Sequence, residues 1–355
     1  MKSARQAAFE ALLKIQREGA YSNLVVDAAL KENDHFEERD KAFFSNLVYG
    51  TLDRLILIDY NLSLYLNQPV RKLKPELHTI LRLGTYQLLF LDKVPSRAAV
   101  NESVNLAKVN KSAFAASLVN AVLRRVADNG LKLPEGAENS PDYLAIKYSC
   151  PEWLISMWIE AYGFDNAVAL AEKALEPAPL IVKVNTLKTS VEDLIWKLAE
   201  EGVVAEKVSE YPDSLILNNT GSVEELIAYK EGLFHAQDFA SQICCRVVDA
   251  KPGETVFDLC SAPGGKAFTI AEGMQNSGVV RAFDVYQSRV DLIKSGAKRL
   301  GLDNVYTYLS DASIFNENYG VADRVLCDVP CSGLGIIRRK PEIRFKKTAD
   351  IDNLP

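Results

Sequence analysis

The chain has 355 residues, 48% of them hydrophobic, and carries 41 Lys and Arg against 47 Asp and Glu, a net charge of −6. That length leaves room for two or three domains with cores of ordinary size. No apolar run reaches the length of a membrane span and the opening is not a secretion signal, so a cytoplasmic protein without a membrane partner is expected.

The six cysteines (Cys150, Cys244, Cys245, Cys260, Cys327 and Cys331) and three histidines fall in no disulfide or zinc spacing, so no metal is expected. Cys150, Cys244 and Cys245 read as small buried apolar residues.

In chain order, the first element is an amphipathic helix capped by Ser3, with Phe9, Leu12 and Leu13 on its apolar stripe and a stop at Gly19. Helical stripes follow at Phe43-Phe44-Leu47-Val48, Leu55-Ile58-Leu62-Leu66 and Ile80-Leu83-Leu88-Leu91, broken at Pro69, Pro75 and Pro95. The run Leu118 to Arg125 closes the last clear helix, so residues 1–140 are expected to be all-helical. Residues 131–142, rich in Pro, Gly and polar types, read as a linker. Trp153 and Trp158 anchor a further helical patch from Pro151 to Tyr162. A strand Leu180–Val184, a helix opening at Ser190 and a strand Leu215–Leu217 then suggest a small α+β lobe, so that residues 141–235 form a second part and 236–355 a third.

That third part holds the most informative stretch, Thr255 to Lys266 (TVFDLCSAPGGK). Val256, Phe257 and Leu259 read as a buried strand that cannot continue through Ala262-Pro263-Gly264-Gly265, and helical composition follows from Lys266 to Gly273. A strand, glycine turn and helix let backbone N–H groups approach a ligand closely. The spacing is neither G-x-G-x-x-G nor that of a phosphate loop. A second strand, Gly278–Phe283, ends at Asp284, about twenty residues past the glycines, where an acid accepts from ribose hydroxyls. A helix from Ser288 to Leu300 closes at Gly301. A third strand, Asn304–Leu309, delivers Asp311, and a fourth, Asp323–Cys327, delivers Asp328 and Cys331. Open α/β sheets bind ligands at such carboxyl ends. Cys327, counted inside its strand, is expected to be buried and inert.

DLCSAPGGK, FDV, SDA and CDVPCSGLG in that order resemble the RNA cytosine-5 methyltransferases that use S-adenosylmethionine, and within them the bacterial small-subunit ribosomal RNA enzymes of the Fmu/Sun type. The VPSRAAVNESV and LVNAVLRR stretches resemble a NusB-type RNA-binding bundle, although a packing domain without a ligand remains an open reading. The resemblance implies a NusB-like all-α bundle, a small α+β lobe and a Rossmann-like methyltransferase sheet, with ribosomal RNA as partner and the chain acting as a monomer. It further implies that Cys260, Ser261, Ala262, Pro263, Gly264, Gly265 and Lys266 hold the cofactor's methionine and ribose part. Asp284 would hold the ribose, Asp311 would sit beside the adenine, and Asp328 would face both cofactor and base. Gln237-Asp238 resembles an element near the cofactor.

Residues 141–250 are acidic, with 8 Lys and Arg against 18 Asp and Glu. Against that background the cluster Arg338, Arg339, Lys340, Arg344, Lys346 and Lys347 either guides a phosphate backbone or is a solvated loop.

Carbon 5 of cytosine is a poor nucleophile. A thiolate adding at carbon 6 activates it, and a base must then remove the carbon 5 proton before the thiol leaves. Asp328 is placed to bond the ring nitrogen or amino group during addition, and the base must leave its stack. Members of the family carry two cysteines: one in the P-C loop, matched by Cys331, which assists release, and an attacking one in a later T-C motif. No T-C pair occurs here and the sequence ends at Pro355, so a fragment lacking that motif is expected; otherwise Cys331 itself attacks. A non-catalytic RNA-binding or assembly protein with a decayed methyltransferase lobe is the alternative, and a nicotinamide-dependent oxidoreductase a third reading.

Overall fold

In the computed structural model, which describes residues 2–110 and 112–345, the Ser3 hydroxyl accepts from the Gln6 N–H at 3.2 Å. Helix α1 (Ala4–Glu18) runs from that cap, and Gly19 ends it in the left-handed region at φ 62°. The described residues form two units, one taking those up to Pro177 together with Ser332–Phe345, the other Ala178–Cys331. Among the described residues no helix is long and apolar enough to cross a membrane.

The first unit is helical throughout. Helices α2 (Ser22–Glu32), α3 (Glu38–Asp53), α4 (Leu55–Ser63), α5 (Pro75–Phe90), α6 (Ser96–Val109) and α7 (Ala116–Asn129) follow α1. Their apolar stripes meet in one core that includes Phe9, Phe44, Leu47, Ile58, Ile80, Leu83, Val122 and Leu123. Helices α8 (Pro141–Lys147), α9 (Glu152–Tyr162) and α10 (Phe164–Lys173) enclose a separate core around Cys150, Leu154, Trp158 and Ala171, to which Ile337 and Ile343 contribute.

The second unit starts with an antiparallel sheet. Strands β1 (Leu180–Val184), β2 (Val204–Val208), β3 (Tyr211–Asn218) and β4 (Phe234–Ala236) lie in the order β2-β3-β1-β4, with helices α11 (Val191–Glu200) and α12 (Ile227–Lys230) between them in sequence. Sequence patterning misses two of these strands. β2 is an edge strand whose residues stay largely exposed, and β4 has three residues with a histidine at its centre.

Helix α13 (Phe239–Val248) leads into a parallel sheet of β5 (Thr255–Asp258), β6 (Val279–Asp284), β7 (Val305–Leu309) and β8 (Arg324–Leu326), with α14 (Gly265–Gly273) and α15 (Gln287–Leu300) as crossovers. The strand order is β7-β6-β5-β8, with Asp258 opposite Leu326 and Asp284 opposite Leu309. The chain therefore reverses direction across the sheet between β5 and β8. Doubly wound sheets open a ligand crevice at such a point, beyond the strands' carboxyl ends.

Asn185 ties the small lobe to the end of α15. It is fully buried, and its amide donates to Gly232 O at 2.9 Å and Leu300 O at 2.8 Å. Asn185→Ala leaves two buried carbonyls unpaired and is expected to cost about 1–3 kcal/mol; a shift in the urea midpoint at constant slope measures it, and an unchanged midpoint contradicts this reading of the junction.

Candidate functional site

The crevice at the β5–β8 reversal is a cleft of about 250 Å³ lined by Asp258, Cys260, Ser261, Ala262, Pro263, Gly265, Lys266 and Asp328 on one side and by Ala236, Gln237, Asp238 and Ser241 on the other. Its floor is a tight backbone turn. Ser261 N donates to Phe283 O at 2.8 Å, Gly264 N to Ser261 O at 2.7 Å, and Phe268 N to Gly264 O at 2.8 Å, which opens α14. The Ala262–Pro263 peptide is cis and Gly264 has φ 109°. A Cβ on Gly264 would sit 2.2 Å from Phe268 Cζ, so the turn depends on glycine for both its dihedral and its space.

Sequence reasoning missed Asp258 as a site residue, although an acid closing the apolar run of β5 was the available signal. It is 1% exposed, and neither its carboxylate oxygens nor Ser261 Oγ makes a well-formed hydrogen bond with another protein group. Burial pushes its carboxyl up to about 6; Ser261 and Lys266 oppose that rise and Asp328 adds to it. Lys266 Nζ lies 2.5 Å from Asp328 Oδ2. Burial pulls the ammonium down, but the bond to Asp328 outweighs it and the net shift is upward.

The other expected residues lie along the same sheet edge, outside the lining of this cleft. Asp284 ends β6, is 6% exposed, and accepts from Tyr286 N at 3.1 Å. Asp311 follows β7, is exposed, and accepts from Ser313 Oγ at 2.7 Å and Ser313 N at 2.9 Å, which holds its carboxyl below the usual range. Cys331 is exposed on the loop after β8, three positions beyond Asp328. Cys327 departs from expectation: it is exposed, because β8 stops at Leu326 and lies at the edge of the sheet.

Within the helical unit, the basic cluster divides. Arg338 donates to Glu176 O at 3.1 Å and Pro177 O at 2.8 Å, and Lys340 Nζ lies 4.6 Å from the centre of the Tyr21 ring. Arg339 is exposed. Arg344 corrects the expectation of a phosphate contact. It is completely buried, donating to Ala174 O at 3.1 Å and Asp53 Oδ1 at 3.2 Å. The 3₁₀ turn Pro341–Phe345 buries Ile343 with it. Lys346 and Lys347 lie outside the described residues. Among the described residues no group of three or more His, Cys, Asp or Glu could hold a metal ion.

A parallel sheet in this order, a glycine turn after its first strand and acids at the ends of the others define a Rossmann-like methyltransferase domain, joined to a helical bundle and a ferredoxin-like lobe. Three family models match: the NusB family over residues 2–128, the ferredoxin-like domain of RsmF/B-like methyltransferases over 150–224, and 16S rRNA methyltransferase RsmB/F over 245–355. The probable ribosomal RNA small subunit methyltransferase B of Bacillus subtilis (strain 168) is 38% identical over 98% of this chain and 78% of its own length. Its counterpart in Synechocystis sp. (strain ATCC 27184 / PCC 6803 / Kazusa) is 34% identical over 98% and 78%. The crystal structure of PH0851 superposes with a TM-score of 0.78 at 28% identity, covering 98% of this chain and 79% of that one. The chain belongs to the ribosomal RNA small subunit methyltransferase B family.

Proposed function

We propose that this chain binds S-adenosylmethionine in the Asp258–Lys266 cleft and serves methyl transfer to carbon 5 of a cytosine in 16S ribosomal RNA, as a cytoplasmic monomer without a metal ion. The observation that carries the reading is the cleft itself, which sits at the sheet's switch point with a buried carboxylate and hydroxyl that make no well-formed hydrogen bond to a protein group. Those unspent acceptors fit a ligand bearing ammonium and hydroxyl donors.

In this reading Cys260 to Lys266 hold the methionine and ribose part, Asp284 takes the ribose hydroxyls and Asp311 lies beside the adenine. When bound, S-adenosylmethionine supplies an electrophilic methyl group on its sulfonium. Asp328, steadied by Lys266, accepts from the cytosine amino group or bonds its ring nitrogen and holds charge on the base. The Cys331 thiol, exposed on the loop after β8, either attacks carbon 6 itself or assists release, which follows once a base has taken the carbon 5 proton and the attacking thiol leaves carbon 6. The 355 residues contain no Thr-Cys pair, so turnover by this chain decides between those two roles. Arg338, Arg339 and Lys340 guide the RNA backbone with the helical bundle.

Calorimetric titration tests the cofactor half. S-adenosylmethionine is expected to bind and NAD not to bind. Because the Asp258 carboxyl sits at about 6, affinity is expected to fall as pH drops through that value and the acceptor becomes protonated; Asp258→Asn removes the limb. No binding at any pH contradicts the proposal. For the RNA half, 5-methylcytosine formed in small-subunit RNA by this chain assigns attack to Cys331, whereas binding without turnover leaves it the release role. Loss of all RNA affinity on deleting residues 1–140, together with no cofactor binding, favours the assembly-protein alternative.

A further inference from the structure

Behind the cleft lies a buried polar chain that no step above uses. Lys183 on β1, His235 on β4 and Glu272 on α14 come together there, with side chains 12%, 5% and 2% exposed. His235 Nδ1 is 3.5 Å from Glu272 Oε1 and Lys183 Nζ is 3.8 Å from Glu272 Oε2. On its other side, His235 Nε2 lies 3.2 Å from Thr269 Oγ1. The Thr269 hydroxyl is 2.6 Å from Gln237 Oε1, and Gln237 Nε2 donates to Gly265 O at 3.0 Å.

The donor and acceptor chemistry gives this chain one direction. The Gly265 carbonyl can only accept, so the Gln237 amide nitrogen faces the glycine turn and its oxygen faces Thr269. That oxygen also only accepts, so the Thr269 hydroxyl hydrogen points to Gln237 and its lone pair faces His235. His235 Nε2 must therefore carry a hydrogen, and its Nδ1 edge is left facing the Glu272 carboxylate. The same ring packs edge-on against Phe268 at 5.8 Å and 86°, and Phe268 fills the space left by the missing Gly264 side chain. His235 thus braces the turn twice, once through hydrogen bonds and once through packing.

We propose that His235, delivered by the small antiparallel lobe, is a positioning residue for the cofactor turn: it fixes the Thr269 hydroxyl, which fixes the Gln237 amide against Gly265 on the wall of the cleft. The inference rests on the cleft being the cofactor site. It gives the small lobe a role in cofactor affinity, exerted by a residue that does not line the cleft. Without the Thr269 hydroxyl the Gln237 oxygen loses its donor, and the amide is free to turn away from Gly265.

The test is titration of S-adenosylmethionine into the full chain, four single variants and one double variant, each checked for a cooperative melt. Thr269→Val keeps the shape and removes the hydroxyl; it is expected to raise Kd about tenfold, whereas Thr269→Ser stays within about twofold of wild type. His235→Phe keeps a ring but removes the donor and is expected to match Thr269→Val, while His235→Gln, which retains a donor, recovers part of the loss. Combining His235→Phe with Thr269→Val is expected to add little to either alone, because both break one chain. Unchanged affinity in Thr269→Val, equal losses in the serine and valine variants, or additive effects overturn the inference. If Thr269→Val does not fold, the contrast between the two His235 variants decides it alone. Wild-type chain that binds no S-adenosylmethionine overturns the cofactor reading instead, and the inference with it.

Discussion

Gly264→Ala is expected to raise the Kd for S-adenosylmethionine by more than about 100-fold and to destabilise the chain by about 2–5 kcal/mol. The backbone there sits at φ 109°, a region that an alanine enters only under strain. The added methyl would also lie 2.2 Å from Phe268 Cζ, so either α14 moves outward or the ring turns. The ring has little freedom, since His235 packs against its edge and a Cβ on Gly296 would meet the same ring at 2.6 Å. The turn therefore yields first, carrying the Ser261–Gly264 hydrogen bond and the N-terminal turn of α14 with it. Adding Phe268→Leu is expected to restore part of the affinity by removing the clash but not the dihedral strain. Titration together with urea denaturation reads both effects, and wild-type affinity in Gly264→Ala contradicts the description of the turn.

Arg344→Met is expected to cost about 2–4 kcal/mol of stability at pH 7.5 and less near pH 5. Arg344 is fully buried, and its guanidinium is the ion partner of the partly buried Asp53. Burial raises the Asp53 carboxyl to about 6 while Arg344 and Arg54 hold it down. Its folded pKa is thus above the unfolded value, so its contribution is greatest at low pH and is lost as pH rises through about 6. Removing Arg344 lifts the folded pKa further and deepens that loss at neutral pH, which sets the direction of the pH effect. Asp53→Asn in the same background is expected to recover stability at pH 7.5 but not at pH 5. Denaturation midpoints at the two pH values check this, and a pH-independent penalty contradicts it.

The sequence was most informative where a local rule and a long-range demand coincide. Ser3 and Gly19 mark α1 because capping chemistry is local, and the glycine turn after β5 is readable because no strand or helix accommodates Pro263-Gly264-Gly265. Asp284 ends β6 and Asp311 follows β7 by two residues, as the spacing suggested. Arg344 shows the opposite situation. A run of cations along the chain says nothing about which side chain a 3₁₀ turn rotates inward, so a buried ion pair looked like part of a basic loop. Cys327 was misplaced by one residue at the end of a strand, where exposure changes abruptly. Thr269 was passed over because its meaning comes from Gln237 and His235, which are distant in sequence and arrive through the small lobe. Tertiary partners, not patterns along the chain, supply that information.

A crystal structure of this chain grown with S-adenosylmethionine or its demethylated product tests the central claim most directly. The account predicts the ligand between Gln237 and the Cys260–Lys266 turn, with Asp258 within hydrogen-bond distance of an amino or hydroxyl group of the ligand and the sulfur on the side of the cleft bearing Asp328. Ligand seated elsewhere on the molecule, with that cleft filled by solvent at saturating concentration, would contradict it.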